Sequence, residues 1–425
     1  MRANWRECAL GDLARIKHGY AFKGEFFGST GTHVVLTPGN FHEAGGFKEK
    51  FDKAKWYSGT VPEEYVLDAG DLIVAMTEQG EGLLGSSAVV PRPGFYLHNQ
   101  RLGLVTPLSS AAADRRFLYY LFNSQSVRQQ IRASANGAKI RHTSPTRIYE
   151  VKVRVPNIAT QRRIAAILSA YDDLIENNTR RIAILEEMAR RIYEEWFVRF
   201  RFPGHEHTRM VDSPLGPVPE GWEVRTVEEV IDTLGGGTPS KTRPDYWAEG
   251  HINWYSPTDL TGAKTVFMEE SANKITELGL AKSSARLFPA HCVMMTSRAT
   301  LGVIAVNTMP ACTNQGFITC IPSERMPLWL LIRWLESNAE KFEGLATGAT
   351  FKEITKGVFR KIKLAVPPTA SAAAFEGIVA PMMDLVLRLE RKNRNLRTAR
   401  DLLLPKLISG ELDVSDLPEP QAASA

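Results

Sequence analysis

The sequence predicts an α+β protein: two similar globular α/β domains held apart by a pair of long antiparallel coiled-coil helices, the halves related as a pseudo-two-fold repeat. Three observations predict it. Residues 99–107 read NQRLGLVTP and residues 314–322 read NQGFITCIP. Four further blocks of the first half recur, in the same order, in the second. Each half then ends in a stretch of about 40 residues in which apolar side chains return every seventh position, the signature of a helical seam.

The repeat sets the architecture, so its blocks come first. Trp5 and Gly19 match Trp222 and Gly236. TPGNF (37–41) matches SPTDL (256–260). AGDLIVAMT (69–77), leading to Gly85, matches AHCVMMTSR (290–298), leading to Gly302, with four extra residues in the first copy. SANGAKIRHTSPTRIYEVKVRVP (134–156) aligns without a gap to LATGATFKEITKGVFRKIKLAVP (345–367), so Gly137 meets Gly348 and Pro156 meets Pro367. Each globular part mixes short β-rich runs such as DLIVAM, GLVT, VMMT and KIKLAVP, bounded by Gly, Pro and Asn, with two helical stretches, RRFLYYLFNSQSVRQQI and LWLLIRWLESNAEKF.

In 161–200 one seam row holds Leu168, Ile175, Ile182, the smaller Ala189 and Trp196; its neighbour holds Tyr171, Asn178, Leu185 and Ile192; Ile164, Ile167, Leu174 and Met188 form a third. The second copy has Phe375, Met382, Leu389, Leu396 and Leu403 on one row, flanked by Ile378, Val379, Leu385 and Val386. Asn178 and Asn393 are polar interruptions that fix register. Pro405 is expected to end the second helix. A helix of this length runs about 60 Å with no adjacent globular partner to bury the whole stripe, so the two stripes most simply bury each other. The resulting division is 1–158 first domain, 159–201 first spacer helix, 202–221 linker, 222–369 second domain, 370–412 second spacer helix and 413–425 tail. The linker is rich in Pro, Gly and Ser, and its His205 and His207 lack the further ligands a metal site needs.

Composition bounds the function. With 44% hydrophobic and 23% charged residues the chain can bury real cores. No apolar run is seen to reach the roughly 18–20 residues of a membrane helix, and the N-terminus carries charges where a signal peptide needs its apolar core; a cytoplasmic protein without membrane contact is expected. Four cysteines form no C-x-x-C pair. A net charge of +5 permits nucleic-acid binding without arguing for it. There is no phosphate loop, no Ser nucleophile elbow and no S-adenosylmethionine loop; SPTD (256–259) lacks the Asn and aromatic of an adenine-methyltransferase loop. PDYWAEGH (244–251) brings Asp245 near Glu249 but has His251 where a metal nuclease needs Lys. A non-catalytic binder without metal or cofactor is expected.

Three stretches, ILSAYDDLIENNTRRIAILEEMARRIYEEWFVRF (167–200), SPLGPVPEGW (213–222) and LRTARDLLLPKLISGELDV (396–414), resemble the DNA-specificity subunit of type I restriction–modification systems. The likeness extends to the order of parts over nearly the whole chain. It implies two target-recognition domains that read double-stranded DNA, two methyltransferase (modification) subunits that carry S-adenosylmethionine and methylate adenine, and restriction/translocase subunits that join for cleavage. The physics agrees: two similar halves can each address an equivalent stretch of groove, with half-sites about 34 Å apart, and unlike domains imply an asymmetric bipartite target. The alternative is a coiled-coil protein-interaction scaffold without DNA specificity.

Bases are read by Arg, Lys, Asn, Gln, Ser and Thr, and phosphates by Lys, Arg and backbone amides. Candidates cluster in loops that end the matched blocks: Lys23, Thr37, Asn40, Thr77, Gln79, Asn99, Gln100, Arg101 and Lys139 in the first domain; Lys241, Arg243, Ser256, Asp259, Ser297, Arg298, Asn314, Gln315 and Lys352 in the second. Because Asn99–Gln100 and Asn314–Gln315 occupy equivalent places, a framework role in turns suits them better than base reading. The basic run RLERKNRNLRTAR (388–400) fits either a solvated helix face or contact with spacer DNA.

Overall fold

The structure is a computed structural model of the chain and describes residues 5–51, 53–263, 265–298, 300–348 and 352–418. It divides into two compact units, Met1–Asn177 with Lys392–Ala425, and Asn178–Arg391.

The first unit is organised by the strand Leu72–Ala75, buried along its whole length. Successive side chains of a strand point to opposite faces. Leu72 and Val74 accordingly enter a core shared with helices, and Ile73 and Ala75 a core shared with a second sheet. The strand pairs antiparallel with Leu102–Pro107 and Ser87–Val89, and Ala14–His18 completes this four-stranded sheet. The second sheet contains the parallel pair His33–Val35 and Tyr96–Leu97. Arg6–Ala9 pairs antiparallel with Lys152–Val155, joining the domain's two ends. The first predicted helical stretch is two helices, Arg115–Asn123 and Gln125–Ala133: Ser124 is extended, and its hydroxyl donates to the Leu121 carbonyl at 2.6 Å.

The second unit repeats this plan. Val293–Thr296 is its fully buried central strand, sending Val293 and Met295 to one core and Met294 to another. Phe317–Ile321 and Ile304–Asn307 flank it antiparallel, with Asp232–Gly235 and Phe267–Met268 at the edges. Ile252–Tyr255 and Ala311–Thr313 form the matching parallel pair, and Glu223–Thr226 with Lys363–Val366 the matching end pair. The helical stretch again breaks in two, Leu328–Ser337 and Ala339–Leu345, at Asn338, whose amide donates to the Trp334 carbonyl at 2.8 Å.

Two long helices, Ile158–Tyr193 and Thr369–Ser409, contribute to both units. In the first unit Ile164 and Leu168 join Leu407 and Ile408 in the domain core, with Leu403 packed against it. Asp172 accepts from Tyr120 Oη at 2.6 Å and pairs with Arg400, so one carboxylate ties the domain to both helices. The Asn393 amide donates to the Ile175 carbonyl at 3.4 Å. In the second unit Ala189 and Tyr193 share a core with Ala372, Phe375, Val379, Met383 and Val386, against which Ile182, Leu185, Ile192 and Trp196 pack. Phe197 meets the Phe375 ring edge-on at 5.0 Å. Glu376 accepts from Trp329 N at 3.1 Å, capping a helix whose own N-cap is Pro327. In each unit, higher numbers on one helix meet lower numbers on the other, an antiparallel pairing.

Four details differ from the sequence expectation. Leu174 and Met188, assigned to a third seam row, are 45% and 43% exposed, whereas Ile164 of that row is buried in the first unit's core. Met383 is the buried methionine, while Met382 is only partly buried and Leu396 and Leu403 likewise. Pro405 does not end the helix, which runs to Ser409; near a terminus a missing N–H costs little, and Gly410, at φ +75°, provides the left-handed exit. Finally, an 18-residue window of Thr369–Ser409 reaches mean hydropathy 1.5, enough by length and composition to cross a membrane. The expectation that no run is apolar enough is corrected. Within this helix Ala372, Phe375, Val379, Met383 and Val386 are buried in the second unit's core, and 28% of the window is buried.

Candidate nucleic-acid interface

In both domains the matched blocks end beside one another, linked by backbone hydrogen bonds. At the end of the first domain's central strand, Met76 N donates to Arg101 O at 3.0 Å and Thr143 N to Met76 O at 2.9 Å. Tyr20 bridges to Asn99, and Gln100 N donates to Tyr20 O at 2.9 Å. In the second domain, Ser297 N donates to Gly316 O at 2.8 Å, Ile354 N to Ser297 O at 3.1 Å and Asn314 N to Tyr255 O at 3.0 Å. Each domain thus carries one edge built from the loop after the central strand, the Asn-Gln turn and the hairpin after the helical layer; in the second domain the Ser-Pro turn adjoins them through Tyr255.

The framework of this edge is the same in both copies. Asn99 Oδ1 accepts from Arg101 N at 3.1 Å, and Asn314 Oδ1 from Gly316 N at 2.8 Å, the same Asx turn. Gly19 lies under the first turn and Gly236 under the second; a Cβ would meet Asn99 O at 2.1 Å or Asn314 O at 2.0 Å. Thr37 N donates to Asn40 Oδ1 at 2.9 Å, and Ser256 N to Asp259 Oδ2 at 2.8 Å, so both proline turns carry capping boxes. The hairpins close through Asn136–His142 and Thr347–Glu353 bridges. Under the first Asn-Gln turn, burial pushes His98 down to about 4, so its ring is neutral as Nε2 approaches the Leu102 carbonyl at 3.0 Å.

Against this frame the predicted residues sort into two groups. Thr37, Asn40, Ser256, Asp259, Asn99 and Asn314 hold their own turns, and Ser297 is buried with its backbone engaged. Gln79, Gln100, Arg101, Lys139, Gln315, Arg298 and Lys352 are exposed on the edge; Gln315 accepts from Thr238 Oγ1 at 2.6 Å. Lys23, Lys241 and Arg243 are exposed on the segments that leave Gly19 and Gly236; Arg243 pairs with Asp245 at 2.7 Å and lies over the Tyr246 ring at 5.1 Å.

Four residues of the edge lie outside the set the sequence predicted: His142, Glu353, Glu78 and Arg128. Thr77 is buried and its Oγ1 lies 3.2 Å from His142 Nδ1. At the equivalent position Arg298 bridges to Glu353, Nε to Oε1 2.8 Å. Glu78 is buried where the first copy has its extra residues, and Oε2 accepts from the amides of Gly82, Leu83 and Leu84 at 3.1, 3.0 and 2.8 Å. Arg128 fastens the same loop by donating to the carbonyls of Gly82 and Glu43. The gap-free match of the two hairpin blocks was a signal that could have pointed to His142 and Glu353. Among the described residues no group of three His, Cys, Asp or Glu could hold a metal ion.

Comparison with known proteins agrees with this geometry. The sequence profile described as the type I restriction modification DNA specificity domain matches residues 2–187 and again residues 219–377. The HindI specificity subunit of a type I restriction enzyme from Haemophilus influenzae is 22% identical over 475 residues, spanning 96% of this chain and 100% of that one. The MjaIX specificity subunit from Methanocaldococcus jannaschii is 26% identical over 204 residues, 47% of this chain and 46% of its own, so in that match the chain spans about half its relative. A type I restriction-modification S subunit from M. genitalium shares the fold, with a TM-score of 0.64 at 15% identity over 96% of each chain. Two similar domains with matching loop edges define a recognition protein rather than a catalyst. The chain belongs to the type I restriction-modification DNA specificity family.

Proposed function

We propose that the chain reads an asymmetric bipartite sequence in double-stranded DNA, one half-site per domain. The observation that carries the reading is the pair of edges: one framework, repeated, bearing different exposed side chains. A shared frame presents readers at equivalent places, and unlike readers select unlike bases. Residues 1–158 and 222–369 are the target-recognition domains, joined by the 202–221 linker. The helices 159–201 and 370–412 form a coiled-coil spacer that fixes the distance between half-sites, with Ile164, Leu168, Tyr171, Ile175, Asn178, Ile182, Leu185, Ile192 and Trp196 facing Phe375, Val379, Met382, Val386, Leu389, Asn393, Leu396 and Leu403.

The chain holds two adenine-methylating modification subunits and the restriction/translocase subunits, and acts in the cytoplasm. The exposed DNA-facing set is Lys23, Gln79, Gln100, Arg101, Lys139, Lys241, Arg243, Arg298, Gln315 and Lys352, with Thr37, Asn40, Thr77, Asn99, Ser256, Asp259, Ser297 and Asn314 shaping the edges. The test is a salt titration of duplex binding by the chain assembled with its modification subunits. Affinity is expected to fall linearly on a log–log plot, with a slope set by the phosphates neutralised. A flat response would instead favour a protein-binding scaffold.

A further inference from the structure

The two edges differ most sharply at one register position. Alignment of the central strands and hairpins brings Thr77 and His142 of the first domain onto Arg298 and Glu353 of the second. The structures agree: Thr77 pairs with His142 in strand register, Arg298 bridges to Glu353, and the next residues bond equivalently, Thr143 N to Met76 O and Ile354 N to Ser297 O. A threonine–histidine pair occupies the site in one copy and an Arg–Glu ion pair in the other.

The ion pair is oriented. Glu353 Oε1 engages Arg298 through Nε at 2.8 Å. Neither Nη of Arg298 has a partner among the described residues, and the side chain is about half exposed. A guanidinium held by its Nε side presents its terminal N–H groups as a fork, the arrangement that donates to O6 and N7 of guanine in the major groove. An exposed ion pair adds little to stability by itself. It does, however, limit the rotamers of a long side chain that would otherwise be ordered only on binding. A carboxylate on a DNA-facing edge repels phosphates unless its charge is spent on such a partner.

We infer that Arg298 reads a guanine in the half-site of the second domain, and that Glu353 is the positioning residue that aims it. The inference rests on the proposed DNA-reading function. At the matching place the first domain presents His142 beside Thr77, a pair of different chemistry, so the two half-sites differ here.

The experiment is selection of duplexes from a pool with randomised positions, using the full chain assembled with its modification subunits. The wild-type complex is expected to recover a split sequence containing a G·C pair that R298A relaxes by about 10–100-fold in preference. E353A is expected to relax the same pair more weakly. E353Q, which keeps the side chain's length and an oxygen in place of the carboxylate that contacts Nε, is expected to retain it. R298K is expected to weaken the preference without abolishing it, because an ammonium lacks the planar fork but can still donate to O6 or N7; a loss of affinity in R298A that is uniform across sequences would make Arg298 a phosphate contact and overturn the inference. A different base pair relaxed by E353A would also overturn it, since Glu353 would then read a base itself. Unchanged selection by R298A would do the same. Failure of the wild-type complex to select any sequence would instead refute the function on which the inference rests. Matching thermal melts of the variants establish that each is folded.

Discussion

The loop after the central strand is long in one domain and short in the other, although its ends are built alike. Gly85 N returns to Ala75 O at 2.9 Å in the first domain, and Gly302 N to Thr296 O at 2.9 Å in the second. Both glycines sit at positive φ, +78° and +83°, where a side chain is strained. Between those fixed points the first domain inserts a loop organised by the buried Glu78, while the second makes a tight return with Arg298 at its base. Length variation is therefore confined between conserved geometric anchors: the sheet need not change when the reading surface does. The same division holds between framework asparagines, which are identical in the two copies, and the Thr77–His142 and Arg298–Glu353 pairs, which are not.

The comparison breaks first in the shared core. Phe375 is fully buried among Tyr193, Trp196 and Phe197. Phe375→Ala is expected to cost about 3–5 kcal/mol, read as a lower midpoint in denaturant unfolding of the second unit, with Leu168→Ala doing the same to the first. Next comes a pH effect confined to the first domain. His98 titrates near 4 when folded and near 6.5 when unfolded. Its folded form binds fewer protons, so stability is full above about pH 6.5 and falls as pH drops toward 4, by about 3 kcal/mol in all. Thermal melts across that range should show the loss, and H98N should flatten it; Thr313, at the matching place, has no such titration.

Smaller effects sharpen the loop difference. Glu78→Ala leaves three amides without their acceptor and is expected to cost about 1–3 kcal/mol, appearing as faster hydrogen exchange at Gly82, Leu83 and Leu84. Equal protection in the variant would mean that the loop is held by Arg128 alone. The framework asparagines should behave alike: Asn99→Ala and Asn314→Ala are each expected to cost about 1 kcal/mol, measured in parallel unfolding curves. Unequal losses would show that the two turns are not equivalent.

Much of this architecture was legible because periodicity and repetition survive in one dimension. Five matched blocks marked the duplication, and the seven-residue spacing found the faces carrying Leu168, Ala189, Phe375 and Val386. Other features depend on contacts that leave no period. The non-helical backbone at Ser124 and Asn338 divides helices whose apolar pattern continues through the break. The face that buries Met383 rather than Met382 is chosen by the domain core, not by the heptad. Two-residue strands such as Tyr96–Leu97 are too short to show alternation. At the edge, Asn99 and Asn314 were readable as turn builders because identical residues recur in place. His142 and Glu353 were not, because each acts through a partner brought to it by the hairpin, and Glu78 acts through backbone amides that every sequence possesses.

The central claim is that two copies of one framework read two different half-sites. Mapping adenine methylation in a cell that carries the complete system tests it most directly. The account predicts modification of one split motif whose halves differ and whose spacing is constant. Methylation of a palindrome, or of halves at variable spacing, would contradict it.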